Sequence, residues 1–191
     1  MKIGIDLDGV VFNTEMEWAV DGELYDYLKL KRNSLVNIGE PRVQNKYNWN
    51  EEEIENYFLE HIDLPKFDLI PGAKQVLNLL KQDNHELIVI TARGIHANGE
   101  KTALNKIKEE KLYFDKIYFK QVDKLPICLE EKIDIMIDDN YHICRKIARH
   151  GIKVLYFHSL GRKHLKNTKN IKEVYNWGEI YRYISELSKQ K

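Results

Sequence analysis

Two aspartates follow the first apolar stretch of the chain and are separated by a single residue. Asp6 and Asp8 come directly after a stretch with the alternation of a short buried strand, and Gly9 follows them. Because side chains alternate along a strand, the two carboxylates would point the same way. Like charges this close repel unless a cation lies between them or one keeps its proton. The pair indicates a hard-metal site or a nucleophile beside an acid/base, although the motif alone is also typical of a turn.

Two later apolar runs, residues 87–90 and 133–137, also end in polar side chains. The groups that follow them are Thr91, Ala92 and Arg93 after the first run and Asp138 and Asp139 after the second. In open α/β sheets, ligands bind at the carboxyl ends of the strands. Three strand ends of complementary chemistry, two of them carrying acid pairs, therefore predict one shared site.

The apolar runs alternate with amphipathic helical stretches along the chain. The predicted strands are residues 3–7, 87–90, 117–119, 133–137 and 152–157. A final helix is predicted from Trp177, whereas the Lys- and Asn-rich residues 163–172 are predicted to be a loop. Helical stretches between apolar strands predict an α/β fold with a parallel, five-stranded sheet that helices cover on both faces.

The segment between the first strand and Pro71 departs from this alternation. Thr14 and Asn50 each precede a glutamate by three positions, the spacing of a capping box at the start of a helix. The segment is therefore predicted to be a helical insertion placed over the carboxylates. The two predicted units are a core of residues 1–12 and 71–191 and a cap of residues 13–70.

The overall composition limits the class of protein. Lys plus Arg and Asp plus Glu both number 30 among 191 residues, which argues against a stable nucleic-acid partner. The chain has no apolar run of about 18 residues, so no membrane span is expected. Because Met1 leads directly into the first predicted strand, no signal peptide is expected. Cys128 and Cys144 are expected to be free thiols packed in the core, and a cytoplasmic location is expected.

The residue types at the strand ends fit the transfer of a phosphoryl group. Such a reaction needs an in-line nucleophile, charge neutralisation and a proton for the leaving oxygen. Asp6 is the candidate nucleophile, which would form an aspartyl-phosphate, and Asp8 is the candidate acid/base. Asp138 and Asp139 together with Asp6 offer three carboxylates to Mg²⁺, which prefers oxygen ligands.

Three further side chains are candidates for binding the substrate. The Thr91 hydroxyl could hold a phosphoryl oxygen, and Lys124 could bring a positive charge to the same group. Lys120 and Lys132 are rivals of Lys124 for this role. Arg93 could contact a substrate phosphate or base through its planar guanidinium, or pair with a nearby acid.

These residues resemble the four motifs of the haloacid dehalogenase superfamily of phosphohydrolases in order and spacing over nearly the whole chain. The matching positions are Asp6-x-Asp8-Gly-Val, Thr91, Lys124 and Asp138-Asp139. In that family the first Asp is the nucleophile, the second is the general acid/base, and the Thr and Lys bind the phosphoryl group. The resemblance implies that Mg²⁺ is bound by Asp6, the backbone carbonyl of Asp8 and Asp139, with Asp138 binding directly or through water.

The same resemblance implies a Rossmann-like core in which the first strand lies between the strands of the second and fourth motifs, with a small helical cap after it. Thr91-Ala92-Arg93, the compact cap and the residues around Asp138 are similar to the 5′-nucleotidase and deoxyribonucleotidase branch. This branch implies a Mg²⁺-dependent phosphatase of nucleoside or deoxynucleoside monophosphates.

Other interpretations of the sequence stay open. The substrate could instead be the 3′ end of a nucleic acid or a sugar phosphate, and a protein that binds a phosphorylated ligand without turnover could keep the same fold. The aromatic residues of the insertion could stack on a nucleobase or simply form its core; they are Trp18, Tyr25, Trp49, Tyr57 and Phe58. Four basic residues could contact or attract an anionic substrate or be solvated: His96, Arg162, Lys163 and Lys166.

Overall fold

A parallel sheet lies at the centre of the fold. The computed structural model describes residues 1–37, 40, 43–61, 67–95, 98–158 and 163–189. Within these residues the strands are β1 (Lys2–Ile5), β2 (Glu86–Ile90), β3 (Lys116–Tyr118), β4 (Ile135–Asp138), β5 (Lys153–Phe157) and β6 (Ile171–Val174). Their order is β3-β2-β1-β4-β5-β6, and all neighbouring pairs are parallel. The predicted central place of β1, between β2 and β4, is confirmed.

The number of strands differs from the prediction of five, because β6 adds a sixth at the edge of the sheet. This strand begins inside the segment that was predicted to be a loop. Only Ile171 and Val174 are buried in it, while Lys172 is exposed. A four-residue edge strand with charged residues has no continuous apolar run, so the periodicity of the sequence gives little sign of it.

Helices cover both faces of the sheet, as predicted. They are α1 (Thr14–Leu24), α2 (Val43–Lys46), α3 (Glu51–His61), α4 (Ala73–Gln82), α5 (Gly99–Glu109), α6 (Leu125–Glu130), α7 (Tyr141–Arg149) and α8 (Trp177–Ser188). Successive side chains of β2 face the two helical layers in turn. Leu87 and Val89 pack with α4, α5 and α8, whereas Ile88 and Ile90 pack with α6 and α7. The strands β1, β2, β4 and β5 are therefore buried on both sides, as strands of parallel sheets usually are.

The segment between β1 and α4 forms a separate group of helices with its own aromatic core. It contains α1, a π-helical turn (Tyr25–Lys29), α2 and α3. Its buried side chains are Tyr25, Val43, Tyr47, Trp49 and Tyr57. The carboxylate of Asp26 is buried among them and accepts hydrogen bonds from Trp49 Nε1 at 2.7 Å and from the Ser34 N–H at 2.7 Å. A buried charge is tolerated here because donors surround it.

The two ends of this segment meet beside the sheet. The Asn13 N–H donates to the Asp68 carbonyl at 2.8 Å, and the Ile70 N–H donates to the Val11 carbonyl at 2.9 Å. Trp177 of α8 donates from its indole Nε1 to the Val10 carbonyl at 2.8 Å, which ties the same turn to the core. The helices of the segment are thereby held next to the carboxyl end of β1.

Two smaller predictions concern the thiols and the membrane. Cys128 and Cys144 are both free and buried. Among the residues that the structure describes, no helix is both long and apolar enough to cross a membrane.

Candidate active site

The chain makes a tight turn directly after β1. The Asp6 N–H donates to the Ile137 carbonyl of the neighbouring β4 strand at 3.0 Å. This hydrogen bond fixes Asp6 at the carboxyl end of the sheet. The Leu7 carbonyl then accepts hydrogen bonds from the Val11 and Phe12 N–H groups at 2.9 and 2.8 Å. Asp6 and Asp8 are therefore presented at the carboxyl end of the sheet, next to the end of β4.

A buried lysine bridges the carboxylates of two strand ends. Lys124 Nζ lies 2.7 Å from Asp6 Oδ2 and 2.6 Å from Asp138 Oδ2, and the Lys124 side chain is only 1% exposed. Lys124 precedes α6, so the start of this helix carries the ammonium to the ends of β1 and β4. Of the three lysines that the sequence made candidates, Lys124 lies in the site. Lys120 is 62% exposed and pairs with Glu100 instead, and Lys132 is exposed.

The electrostatics of this bridge follow from burial. Burial raises the pKa of Asp6 to about 6, with Lys124 opposing the rise and Asp138 adding to it. Burial also lowers the pKa of Lys124, but the carboxylates of Asp138 and Asp6 outweigh this effect and hold the pKa above its ordinary value. The lysine is therefore a fixed positive charge, whereas the charge of Asp6 is only partly compensated.

Three buried carboxylates converge beside the lysine. Asp6, Asp138 and Asp139 each offer an oxygen, and these oxygens lie within 4.8 Å of one another. The Asn140 N–H fixes Asp138 by donating to its Oδ1 at 2.7 Å. Burial, followed by the charges of Asp138 and Asp6, raises the pKa of Asp139 well above its usual value. Three ionised carboxylates carry more negative charge than one lysine can neutralise. A hard divalent cation, which prefers oxygen ligands, would offset the excess.

Gly9 lets the turn after β1 approach Asp139 closely. Gly9 has a φ of +74°, and a Cβ at this position would lie 2.1 Å from Asp139 Oδ2. Both the left-handed backbone and the lack of space therefore require glycine. The sequence showed Gly9 only as a turn residue, and its closeness to an aspartate 130 positions later is a property of the folded chain.

Gly9→Ala is expected to lower the free energy of unfolding by more than Gly151→Ala. Gly151 has a similar φ of +86°, but a Cβ there would meet nothing within 4 Å, so that variant carries only the backbone strain of about 1–2 kcal/mol. Displacing the buried Asp139 carboxylate should add at least about 1 kcal/mol at Gly9. Urea denaturation of both variants measures the difference, and equal losses would contradict the proposed crowding.

Asp8 is held by an arginine from the end of β2. Arg93 Nε donates to Asp8 Oδ2 at 3.0 Å, and Arg93 Nη2 donates to Asp8 Oδ1. The guanidinium also lies over the rings of Phe67 at 4.9 Å and Phe12 at 5.9 Å. Of the alternatives that the sequence left for Arg93, pairing with an acid is the arrangement in this structure. Planar, two-point pairing of this kind orients the Asp8 carboxylate.

Thr91 follows β2 directly and precedes Arg93 by two residues. Its side chain is fully buried, and its Oγ1 accepts a hydrogen bond from the Arg93 N–H at 3.2 Å. The neighbouring residues Ala92, Arg93 and Gly94 line the open cavity. The predicted strand-end residues thus all lie at the carboxyl ends of neighbouring strands, although Thr91 and Asp138 are not among the residues that line the cavity.

A cavity of about 320 Å³ lies between the strand ends and the helical segment. Asp6, Asp8, Lys124 and Asp139 line it from the sheet. Its other side is formed by Glu15, Trp18, Val43, Gln44 and Phe58. The rings of Trp18 and Phe58 meet edge to face, with centroids 6.5 Å apart. Sites for small ligands are commonly apolar clefts of this size with a few polar groups.

The aromatic residues of the helical segment divide into two sets. Tyr25, Trp49 and Tyr57 are buried in the core of that segment, whereas the half-buried Trp18 and Phe58 line the cavity. Val43 and Gln44 also reach the cavity, and no pattern in the sequence identified them. Their place depends on how α2 packs, which is a tertiary property.

The remaining basic candidates lie away from the aspartates or outside the described residues. Lys163 and Lys166 are exposed. His96 and Arg162 lie outside the described residues.

Comparison with known proteins relates this architecture to solved structures. No family model matches the chain, and no curated protein matches it in sequence. A predicted phosphatase from Clostridium acetobutylicum is similar, with a TM-score of 0.70 and 18% identity over 97% of this chain and 98% of that one. A haloacid dehalogenase-like hydrolase from Streptococcus pneumoniae has a TM-score of 0.69 and 15% identity over 96% and 97% of the two chains.

A third similar structure is a predicted phosphoglycolate phosphatase from Haemophilus somnus, with a TM-score of 0.61 and 16% identity. The match covers 95% of this chain and 96% of that one. The matches extend over almost the full length of each protein, so they include the helical segment as well as the sheet. The chain therefore has the haloacid dehalogenase-like fold.

Proposed function

We propose that the protein is a Mg²⁺-dependent phosphohydrolase of small phosphomonoesters, with nucleoside or deoxynucleoside monophosphates as its substrates. The observation that carries the proposal is the buried Lys124 between Asp6 and Asp138, which faces a cavity at the carboxyl end of the sheet. A carboxylate nucleophile can approach a phosphate dianion only where positive charge offsets their repulsion. The similar structures from Clostridium acetobutylicum and Haemophilus somnus, both predicted phosphatases, support the reaction class.

In the proposed reaction Asp6 attacks the phosphorus, and the bond from phosphorus to the leaving oxygen breaks. Asp8 gives that oxygen a proton, which leaves an aspartyl-phosphate on Asp6. Asp8 then removes a proton from water, whose oxygen attacks the same phosphorus, and the bond to Asp6 breaks to release phosphate. Lys124 offsets the charge on the phosphoryl oxygens throughout, and the Thr91 hydroxyl binds one of them.

The ion pair with Arg93 sets a condition on this role of Asp8. Arg93 donates one hydrogen bond to each carboxylate oxygen of Asp8. One of these hydrogen bonds must break before that oxygen can contact the leaving oxygen or the attacking water. A bound phosphate dianion attracts the guanidinium, so substrate binding itself would shift Arg93 from Asp8 towards the substrate.

The carboxylates of Asp6, Asp138 and Asp139 would hold Mg²⁺, together with the backbone carbonyl of Asp8. Oxygen-only donors and the raised pKa values of Asp6 and Asp139 fit this ion. When bound, Mg²⁺ supplies positive charge that offsets the phosphoryl oxygens and the nucleophile.

Residues 13–70 are proposed to act as a cap that closes the cavity and binds the leaving group. Trp18 and Phe58 present half-buried rings to the cavity opposite the aspartates. A nucleobase has two flat faces and stacks readily on such rings. The nucleotide assignment depends on this pair, whereas the phosphoryl chemistry depends on the aspartates and Lys124.

Trp18→Ala is expected to lower kcat/KM for a nucleoside monophosphate and to leave that for acetyl phosphate nearly unchanged. Base stacking on an aromatic ring contributes about 1–3 kcal/mol, which corresponds to a loss on the order of 10- to 100-fold. Tyr27→Ala is the matched control, because Tyr27 lies in the same segment but is exposed and does not line the cavity. Equal losses for both substrates would show that Trp18 acts on folding or on the phosphoryl site.

A substrate panel tests the proposal. Phosphate release would be measured with Mg²⁺ for ribo- and deoxyribonucleoside monophosphates with 5′ or 3′ phosphate, for sugar phosphates and for 3′-phosphorylated oligonucleotides. We expect the nucleoside monophosphates to be hydrolysed fastest and EDTA to abolish release. Absence of release from every member would contradict the proposal and favour a protein that only binds a phosphorylated ligand.

A small non-nucleotide phosphomonoester is the second candidate substrate, because one similar structure is a predicted phosphoglycolate phosphatase. A preference for such esters in the same panel would keep the chemistry and replace the proposed role of Trp18 and Phe58.

A further inference from the structure

Two histidines and a glutamate meet at the edge of the sheet, outside the residues assigned to the proposed reaction. His158 follows β5 directly, Glu173 belongs to the neighbouring β6, and His164 lies between them in sequence. His158 Nε2 is 3.7 Å from Glu173 Oε1, and His164 Nδ1 is 3.2 Å from the same oxygen. One ligand atom from each of the three side chains lies within 4.8 Å of the others.

These separations agree with the geometry of a tetrahedral zinc site. Zinc binds His nitrogen and carboxylate oxygen at about 2.0–2.2 Å, so two ligands at the tetrahedral angle are about 3.3 Å apart. The separations of the two histidine nitrogens from Glu173 Oε1, 3.7 and 3.2 Å, lie on either side of this value. The rings of His158 and His164 stack, with centroids 4.3 Å apart and 12° between their planes. The exposed His164 ring must therefore turn out of this stack before both imidazoles can point a nitrogen at one ion, and its 74% exposure leaves room for that rotation.

Most of this site is already ordered by the fold. The side chains of His158 and Glu173 are 12% and 10% exposed, whereas His164 is 74% exposed. Glu173 is oriented by the Leu165 N–H, which donates to its Oε1 at 3.4 Å, and by the Tyr175 hydroxyl, which donates to its Oε2 at 3.1 Å. Hydrogen bonds to a ligating carboxylate are the usual outer support of a metal site. The exposed His164 leaves a path for an ion to enter.

We propose that His158, His164 and Glu173 form a second metal site, selective for a transition-metal ion such as Zn²⁺. Imidazole nitrogens favour zinc and similar ions, whereas Mg²⁺ prefers oxygen ligands alone. The three aspartates at the ends of β1 and β4 therefore suit one class of ion and this His₂Glu set suits another. Three protein ligands leave at least one coordination position for water or another donor.

Binding of a metal ion at this site is expected to stabilise the connection between β5 and β6. His158 extends β5, and its N–H already donates to the Val174 carbonyl of β6 at 2.8 Å. A shared ion would add a bond through His164, which lies in the connection between these two strands. The metal would then hold this connection against the sheet edge and raise the stability of β6, which is otherwise a short edge strand.

Equilibrium dialysis of the full chain without a purification tag tests this site, because polyhistidine tags bind zinc themselves. Bound Zn²⁺ would be counted in excess Mg²⁺, which occupies oxygen-only sites. We expect one tightly bound Zn²⁺ per chain and, in the presence of Zn²⁺, a higher unfolding temperature. Co²⁺ in place of Zn²⁺ is expected to give the strong visible absorption of a four-coordinate site, which an oxygen-only octahedral site does not give.

Single variants separate this site from the aspartates. His164→Ala removes an exposed ligand, so it should fold normally and weaken Zn²⁺ binding by at least about 10- to 100-fold. His150→Ala, an exposed histidine on another element, should bind Zn²⁺ like the wild type, and so should Asp139→Asn. The proposal is overturned if the wild type binds no more Zn²⁺ than His164→Ala, or if Asp139→Asn abolishes the binding.

Discussion

Asp6→Asn is expected to abolish phosphate release, with kcat reduced by at least about 1,000-fold, because an amide at this position cannot act as the nucleophile. The substitution keeps the size of the side chain and removes only its charge. Steady-state kinetics with the best substrate of the panel measure the effect. Retention of wild-type activity in Asp6→Asn would contradict nucleophilic attack by this residue.

A stability measurement accompanies this kinetic result and controls for misfolding. Burial raises the pKa of Asp6 to about 6, above its ordinary value of 3.8. A carboxyl group whose pKa is higher in the folded state than in the unfolded state stabilises the fold at low pH. This contribution is lost as the pH rises through the pKa of the folded state. In EDTA, the wild type should therefore lose stability relative to Asp6→Asn between about pH 4 and pH 7. Urea denaturation at several pH values measures this change, and a constant difference would contradict the titration of Asp6.

Lys124→Met is expected to produce the largest loss of stability among the site variants. Removing the ammonium leaves Asp6 and Asp138 buried without their shared partner, and breaking a buried ion pair in this way costs about 3–5 kcal/mol. Loss of the fixed charge should also reduce kcat by about 100- to 1,000-fold, the usual effect of removing one stabilising group. Urea denaturation in EDTA and steady-state kinetics in Mg²⁺ measure the two effects.

Two comparisons make this result specific. Lys132→Met removes an exposed lysine and should change the free energy of unfolding by less than about 0.5 kcal/mol. Mg²⁺ should stabilise Lys124→Met more than it stabilises the wild type, because the cation offsets charge that the lysine no longer neutralises. If Lys124→Met and Lys132→Met were equally stable, Lys124 would not be the bridge between the carboxylates.

The sequence was sufficient to predict how the strand ends meet. Asp6, Thr91 and Asp138 each follow an apolar run, and the carboxyl ends of parallel strands lie at one edge of the sheet. This local pattern predicts that the aspartates are neighbours without knowledge of the helices. Lys124 was harder to identify, since it precedes a helix and not a strand. Its distinction from Lys120 and Lys132 required its burial, which depends on the packing of α6.

Other features depend on contacts between distant parts of the chain. The ion pair between Arg93 and Asp8 joins residues 85 positions apart, and either partner could have faced solvent or substrate. Trp18 and Phe58 are half-buried and line the cavity, whereas Trp49 is buried in the aromatic core of the same segment. The strand β6 has too few apolar residues to be recognised by its pattern, and its pairing with β5 creates the His₂Glu cluster. These contacts are determined by packing, which periodicity does not describe.

The central claim is that Asp6 is the group that receives the phosphoryl group. Its most direct test is rapid acid quenching of the protein with a radiolabelled phosphomonoester chosen from the substrate panel, followed by peptide mapping of the label. We expect a short-lived phosphoryl label on Asp6 in the wild type and none in Asp6→Asn. Phosphate release with no label on the protein, or with the label on another residue, would contradict this account.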